Sequence, residues 1–380
     1  MVESVPALRV LMLLEGHFPA VGGAERQLAT LSQALQARGH RVRLVLPRLN
    51  DTDAAGAGRH GRLPLYRISY PRWRVVGTLA MLARLLLLLW RWRKRYDAIH
   101  VHIAHNMGAV AAVMGRILGK PVVVKFSGWW ELERGCLNPR GGIGARIARW
   151  MLRRASAVQA ISQRFATDLR RFGFSSARIH CVPNGVDTSR FEDISRPDSG
   201  GGPNTVVFVG RLVVEKGLDT LLRAWARVFD SSSAWRLRLV GAGAQEAELR
   251  ELAHSLDVSR SVDFVGASTQ VERHLAEADV GVLPSRFEGL SNTLLEYMAA
   301  GLPGIVSRIS GSEDFIIPAH NGWLFEPDDV DGLAAALRDM ADMPHSQRRA
   351  LGAAARRDVL ARASLDAVVT RLLGLYSRSA

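Results

Sequence analysis

The run DVGVLPSRFEGLSNTLLEYMAAG, residues 279–301, reads as a strand, a glycine-bearing loop and a helix in succession. Its apolar opening at 279–283 suits a buried strand. The stretch 286–301 then carries two carboxylates, Glu288 and Glu296, eight residues apart. The pattern puts Glu288 in the loop at the helix mouth and Glu296 about two turns in, roughly 10 Å further along at the helical rise. That distance matches the reach from the sugar to the ribose of a nucleotide-diphosphate sugar. The N–H groups at such a helix start favour an anion such as a diphosphate.

Outward from this unit, strand-like runs alternate with helical periodicity through both halves of the chain, the mark of parallel α/β layers. The first half opens as a βαβ unit. A strand at 8–14, the pair Gly22-Gly23, a helix over 24–37, a stop at Gly39 and a strand at 42–46 follow in order. Strands are expected at 98–102, 122–126, 157–161 and 179–182, with helices at 77–94, 107–118 and 141–154. The second half repeats the scheme, with strands at 206–209, 237–240, 262–265, 280–283 and 304–306 and helices at 218–229 and 246–255. Gly210 and Gly241-Ala242-Gly243 each follow a strand directly.

A chain of 380 residues exceeds one hydrophobic core. The expected division is 1–187 and 188–364, with a flexible joint DSGGGP at 198–203 and a last helix within 365–380 packing back across it. Two such doubly wound domains facing each other place a ligand crevice at their strand ends.

Two cysteines, Cys136 and Cys181, supply neither a disulfide framework nor metal-ligand spacing, so a reducing compartment fits. The opening MVESVPALRVLMLLEG has no basic flank or small-residue cleavage site and reads as a buried strand rather than a leader. Charge is divided unevenly. Residues 1–190 hold 30 Lys/Arg against 10 Asp/Glu, +20, while 191–380 hold 20 against 26, −6. The basic half therefore suits an anionic partner, a phospholipid surface first. The segment 75–90, VVGTLAMLARLLLLLW, is short for a bilayer span and has Arg84 inside it. Its flanks Arg72-Trp73-Arg74 and RWRKR (91–95) fit an interfacial helix on anionic lipid. A crossover helix packed on the sheet fits equally.

Several groups carry candidate chemistry. Gly22-Gly23 lets backbone approach a phosphate or sugar at a helix start, or simply makes a turn. In GRLVVEKG (210–217), Arg211 offers a planar fork and Lys216 a mobile charge for a diphosphate. In DAIHVHIAH (97–105), His100 and His102 share one strand face and His105 lies past its end. They read as core histidines or as donors to a sugar hydroxyl, His102 foremost, and no acidic or cysteine cluster beside them makes a metal site. In KFSGWWELE (125–133), Lys125, Trp129, Trp130, Glu131 and Glu133 are suited to sugar contact, or equally to a packing or membrane-facing loop.

Taken with VPNGVD (182–187), these motifs run in one order along essentially the whole chain, and the sequence resembles a retaining glycosyltransferase of family 4. The resemblance implies the GT-B fold: two facing Rossmann-like, doubly wound parallel-sheet domains with a central cleft. It implies transfer of a sugar from a nucleotide-diphosphate donor to a hydroxyl with retention, and with no cofactor or catalytic metal. Arg211 and Lys216 would bind the diphosphate, Glu288 would lie by the donor sugar and Glu296 would hold the ribose. Backbone at Leu290, Ser291, Asn292 and Thr293 would meet phosphate, Gly22 and Gly23 would belong to the donor site, and Gly23 would help close the loop over the donor and acceptor. Val265 and Gly266 would meet the base, and His102 would lie beside the transferred sugar. The acceptor side would include His105, Lys125, Trp129 and Trp130. One departure is Phe126-Ser127-Gly128, where many relatives have a histidine before the glycine.

The expected partners are a nucleotide-sugar donor, a lipid-linked or glycan acceptor and an anionic membrane surface, with no nucleic acid. The expected location is cytoplasmic, peripheral on the inner face of the plasma membrane. A sugar-nucleotide epimerase on the same fold and an inactive sugar-nucleotide-binding subunit are the other readings, as is a transferase acting on DNA, for which no recognition motif is present. A nicotinamide dehydrogenase is excluded, because no strand ends in GxGxxG followed by an acidic residue about 20 positions on.

Overall fold

The computed structural model describes residues 6–19, 22–50, 53–133, 135–192, 204–230 and 232–377. The chain forms two compact units, 1–185 with 365–380, and 186–364. The expected joint at 198–203 lies outside the described residues.

In the first unit the order is β1 (Arg9–Leu13), α1 (Gly23–Ala37), β2 (Arg41–Pro47), β3 (Gly56–His60), β4 (Leu63–Ile68), α2 (Arg74–Trp92), β5 (Ala98–Val101), α3 (Asn106–Leu118) and β6 (Val122–Phe126). After these come α4 (Trp129–Glu133), α5 (Ile143–Leu152), β7 (Ala157–Ala160), α6 (Gln163–Arg171) and β8 (Ile179–Cys181). The sheet runs β3-β4-β2-β1-β5-β6-β7-β8, parallel except for the antiparallel β3–β4 hairpin at its edge. Residues on one strand face, such as Leu11, Val45 and Ile99, pack with α2, α3, α5 and α6. Residues on the other, such as Val10, Met12 and Leu44, pack with α1. This two-faced covering is why the strands read as continuous apolar runs.

The second unit holds β9 (Asn204–Val209), α7 (Leu218–Ala226), β10 (Trp235–Val240), α8 (Glu246–Ser255), β11 (Val262–Gly266), α9 (Val271–Ala276), β12 (Val280–Leu283) and α10 (Asn292–Ala299). It continues with β13 (Gly304–Ser307), α11 (Ser312–Phe315), β14 (Gly322–Phe325), α12 (Val330–Asp342) and α13 (His345–Ala363). Its sheet is wholly parallel, in the order β11-β10-β9-β12-β13-β14. A last helix, α14 (Leu365–Tyr376), returns to the first unit. It lies against α1, burying Val368, Val369, Leu372 and Tyr376, and the Tyr376 hydroxyl meets His100 Nδ1 at 2.5 Å.

Two expectations are corrected. Helix α10 begins at Asn292, because Glu288–Ser291 form an open loop, so Glu296 lies about one turn in rather than two. Helix α2 has 19 residues and is apolar and long enough to cross a membrane, although Met81, Leu85, Leu88 and Leu89 pack on the sheet. Its other side is open: Val75, Leu79, Leu86 and Trp90 are exposed. Helix α3 lies between α2 and α5, and exposed Ile117, Ile143, Ile147 and Trp150 continue the apolar surface across all three.

Candidate functional site

In a doubly wound sheet, ligands collect outside the carboxyl ends of the strands where strand order reverses. In the second unit that place lies between β9 and β12, and the loops that leave these two strands are GRLVVEKG and PSRFEGLS. Tyr297 on α10 holds the point together. Its hydroxyl accepts the Val209 N–H at 2.8 Å and donates to the Val282 carbonyl at 3.4 Å. Only glycine fits at position 281, since a Cβ there would lie 2.2 Å from the Tyr297 ring. The next residue back along the helix is Glu296.

The two loops are tied to each other. Gly217 sits at φ 62°, and a Cβ on it would come 2.2 Å from the Pro284 carbonyl oxygen. Arg286 N–H donates to the Glu215 carbonyl at 2.8 Å, while its guanidinium reaches the Val214 carbonyl (2.6 Å), Asp219 (2.9 Å) and Asp328 (2.6 Å). Arg286 is thus a latch. Across this seam the Lys216 ammonium contacts the Glu288 carboxylate, both largely shielded from solvent. Burial, and then the nearby Arg211 charge, push the Lys216 ammonium down to about 8. The neighbouring Glu215 carboxylate opposes that loss of charge. Arg211 itself is exposed.

Glu296 is buried, with Arg190 Nη1 3.6 Å from its carboxylate. Arg190 also pairs with Glu272 at 2.6 Å. Ser291 is the N-cap of α10 and its side chain makes no capping hydrogen bond; the helix runs on through Asn292 and Thr293, with Leu290 buried behind it. Gly266 ends β11 at φ 82°, with Val265 exposed beside it.

In the first unit, strand order reverses between β1 and β5. Glu15, just past β1, accepts the Met107 N–H at 2.7 Å and meets His105 Nδ1 at 2.6 Å. Burial resists charging of His105, but the Glu15 hydrogen bond and the charges of Glu15 and Glu131 outweigh it, leaving its pKa raised. His102 is buried, stacked on His100 at 4.6 Å, with Nδ1 lacking a partner among the described residues and Nε2 3.4 Å from the Met12 sulfur. Burial holds both rings neutral, taking His100 down to about 3. Lys125 is buried and donates to Asn184 Oδ1 at 2.7 Å, with burial lowering its pKa to about 8.

Glu131, suited by sequence either to sugar contact or to a packing loop, is spent inside its own loop. It accepts the Ser127 and Gly128 N–H groups and the Ser127 hydroxyl at 2.9–3.0 Å. Trp129 and Trp130 lie in α4, and their side chains fall outside the described residues. Gly22 is the N-cap of α1 and Gly23 its first residue, with the Glu25 carboxylate folded against Gly22. Among the described residues no three His, Cys, Asp or Glu side chains are grouped to hold a metal. Reading the sequence missed Glu15, Arg190 and Asn184. Glu15 had one signal, a lone carboxylate closing an apolar strand.

Two family models cover the chain in tandem: Glycosyltransferase Family 4 over 21–190 and Glycosyl transferases group 1 over 189–358. The structure superposes on Anabaena HepE in complex with UDP with a TM-score of 0.77, 18% identity, and 97% and 99% of the two chains covered. The chain is a GT-B-fold glycosyltransferase superfamily member. This glycosyltransferase is also 29% identical to the glycogen synthase of Mycobacterium tuberculosis H37Rv, over 92% of its own length and 90% of the relative's. A Corynebacterium glutamicum GDP-mannose-dependent monoacylated alpha-(1-6)-phosphatidylinositol monomannoside mannosyltransferase is 33% identical, over 54% and 59% of the two chains. In the glycosyltransferase, both candidate loops of the second unit fall within the group 1 match.

Proposed function

We propose that the chain transfers a sugar from a nucleoside-diphosphate donor, with retention, to a hydroxyl of a lipid-linked or cell-surface glycan acceptor. The observation that carries this reading is the Lys216–Glu288 pair, set with Glu296 around the start of α10 at the strand-order reversal. HepE, of like fold, is recorded with UDP. The family 4 and group 1 matches and the phosphatidylinositol-monomannoside mannosyltransferase relative support the same reaction class.

In this scheme an arriving diphosphate takes Lys216 from Glu288 and adds Arg211, while Leu290–Thr293 backbone meets the phosphates. Glu288, released, accepts hydroxyls of the donor sugar. The ribose displaces from Glu296 the Arg190 guanidinium, which is 3.6 Å away and keeps its closer partner Glu272, and Val265-Gly266 flank the base. As the glycosidic bond to the diphosphate breaks, Lys216 and Arg211 take up the leaving charge. The leaving phosphate oxygen accepts the proton of the incoming hydroxyl on the same face, so configuration is kept. In the same scheme Gly22-Gly23 and His102, whose Nδ1 has no partner among the described residues, are assigned to the donor. His105 and Lys125, together with Trp129 and Trp130 of α4, belong to the acceptor side, which is assigned to the first unit.

The outer face of α2, α3 and α5 is assigned to an anionic membrane surface. Eleven of the sixteen exposed large hydrophobics among the described residues fall between Trp73 and Trp150, and these three helices contain no acidic residue. Arginines at 84, 91, 116 and 146 complement lipid phosphates around that apolar surface. On this reading the enzyme works at the inner face of a plasma membrane.

The test is thermal stabilisation of wild type and Arg211→Ala by UDP, GDP, ADP, CMP and dTDP, each at saturating concentration. At about 100 times its dissociation constant the right diphosphate adds roughly 2.7 kcal/mol. Stabilisation of wild type alone supports the donor site and names the base, whereas equal stabilisation of both removes Arg211 from it. With the base known, proton NMR of the first product gives its anomeric configuration, and an inverted product overturns the retaining mechanism.

A further inference from the structure

At the amino ends of β1 and β2, the opposite end of the first sheet from Glu15 and His105, lies a cleft of about 750 Å³. Its walls carry Arg9, Arg41, Arg43, Arg59, Arg62 and Arg95, and no acidic residue among the described residues. Its volume is that of a small-ligand site. We propose that this cleft is a second anion site, built for a ligand that bears two or more phosphate groups.

The arginines reach the cleft from four separate places: the starts of β1 and β2, the β3–β4 hairpin, and the turn after α2. Two are fixed in advance. Arg9 is held by Asp97 at 2.6 Å and by the Lys94 carbonyl at 2.8 Å, and Arg43 lies 4.9 Å over the Trp92 ring. Asp97 is the one carboxylate engaged by any of the six among the described residues. The carbonyl ends of α1 and α2 point the same way and contribute about half a negative charge each, which six guanidiniums outweigh. A concave surface of one sign concentrates counter-ions. Guanidiniums bind phosphate in bidentate fashion, and their spread over several elements needs a ligand whose charges are themselves spread. A monoanion would engage only one side of the cleft.

Two sources offer that chemistry, a soluble polyphosphate or a lipid headgroup carrying phosphomonoesters. The second is within reach, because the apolar outer face of α2 runs down to Trp90 while Trp92 and Arg95 line the cleft.

Calorimetric titration separates the cases, using full-length Lys216→Ala so that the donor loop does not compete. The probes are inorganic tripolyphosphate, orthophosphate and a short-chain soluble phosphatidylinositol bisphosphate. The expected result is one saturable site for tripolyphosphate, with orthophosphate far weaker. It should weaken at least about tenfold, or 1.4 kcal/mol, in Arg59→Gln/Arg62→Gln and again in Arg41→Gln. All three positions are exposed, so melting of the variants should match the parent and loss of binding is not loss of fold. Tighter binding of the lipid probe, lost in the same variants, names the headgroup. Binding of tripolyphosphate alone names the soluble source. No saturation below about 1 mM, or affinity untouched by the arginine changes, overturns the site.

Discussion

Lys216 and Glu288 are held together by loops from two adjacent strands, and each waits for a different part of the proposed donor. The Lys216 pKa of about 8 in the free protein sets a pH dependence. In the proposed scheme diphosphate binding requires the ammonium, so above about pH 8 the site must first take up a proton. Nucleoside-diphosphate affinity should then fall by up to about tenfold per pH unit until the bound-state pKa is passed. Lys216→Ala should bind weakly and with a flat profile. Calorimetry between pH 7 and 10 reads both, and a flat wild-type profile would remove Lys216 from the diphosphate. His105 carries the opposite kind of signal. Its pKa is raised by Glu15, so the pair stabilises the fold fully below the ordinary 6.5, and that contribution is lost as pH rises through the raised value. Glu15→Gln should lower the His105 titration midpoint in NMR spectra. It should cost about 1 kcal/mol at pH 6 and much less at pH 9. The buried neutral pair His100 and His102 acts the other way, because the unfolded chain takes protons there as pH falls below 6.5.

At the scale of elements, the seam between the β9 and β12 loops depends on Gly217. Alanine there would adopt a left-handed backbone and push its methyl into the Pro284 carbonyl. Gly217→Ala should lose about 2–4 kcal/mol in denaturant titration and lose nucleotide binding with it. Wild-type stability in that variant would mean the seam is looser than drawn. The strands bordering both sites were legible because a strand buried on both faces is a plain apolar run, as at 122–126 and 280–283, where expectation and structure coincide. The β3–β4 hairpin was not, since GAGRH offers glycine and charge where an edge strand shows no buried face. The motif residues Arg211, Lys216, Glu288 and Glu296 were visible as types in order. That Lys216 touches Glu288, or that Arg190 stands on Glu296, was not, because each contact joins distant segments that only the sheet order brings together.

Across the molecule, charge and exposed apolar surface coincide in the first unit. If the α2–α3–α5 face meets lipid, sedimentation with vesicles containing anionic phospholipid should weaken as salt rises, and weaken much less with each basic residue removed than with the apolar ones. Leu79→Ser/Trp150→Ser should reduce bound protein at least about tenfold, since each loses around 1.5–3 kcal/mol of apolar burial. Equal sedimentation of that variant would leave the face without its lipid. Helix α14 has a consequence in time rather than space. The first unit needs Val369, Leu372 and Tyr376 to close one side of its sheet and to cover His100, and these residues follow the whole of the second unit along the chain. On the ribosome, the part begun first is therefore finished last. The second unit can settle while β1, β2, β5 and α1 still show an uncovered apolar seam, so nascent chains stalled before Leu365 should stay protease-sensitive in 1–185 and become resistant once α14 has emerged.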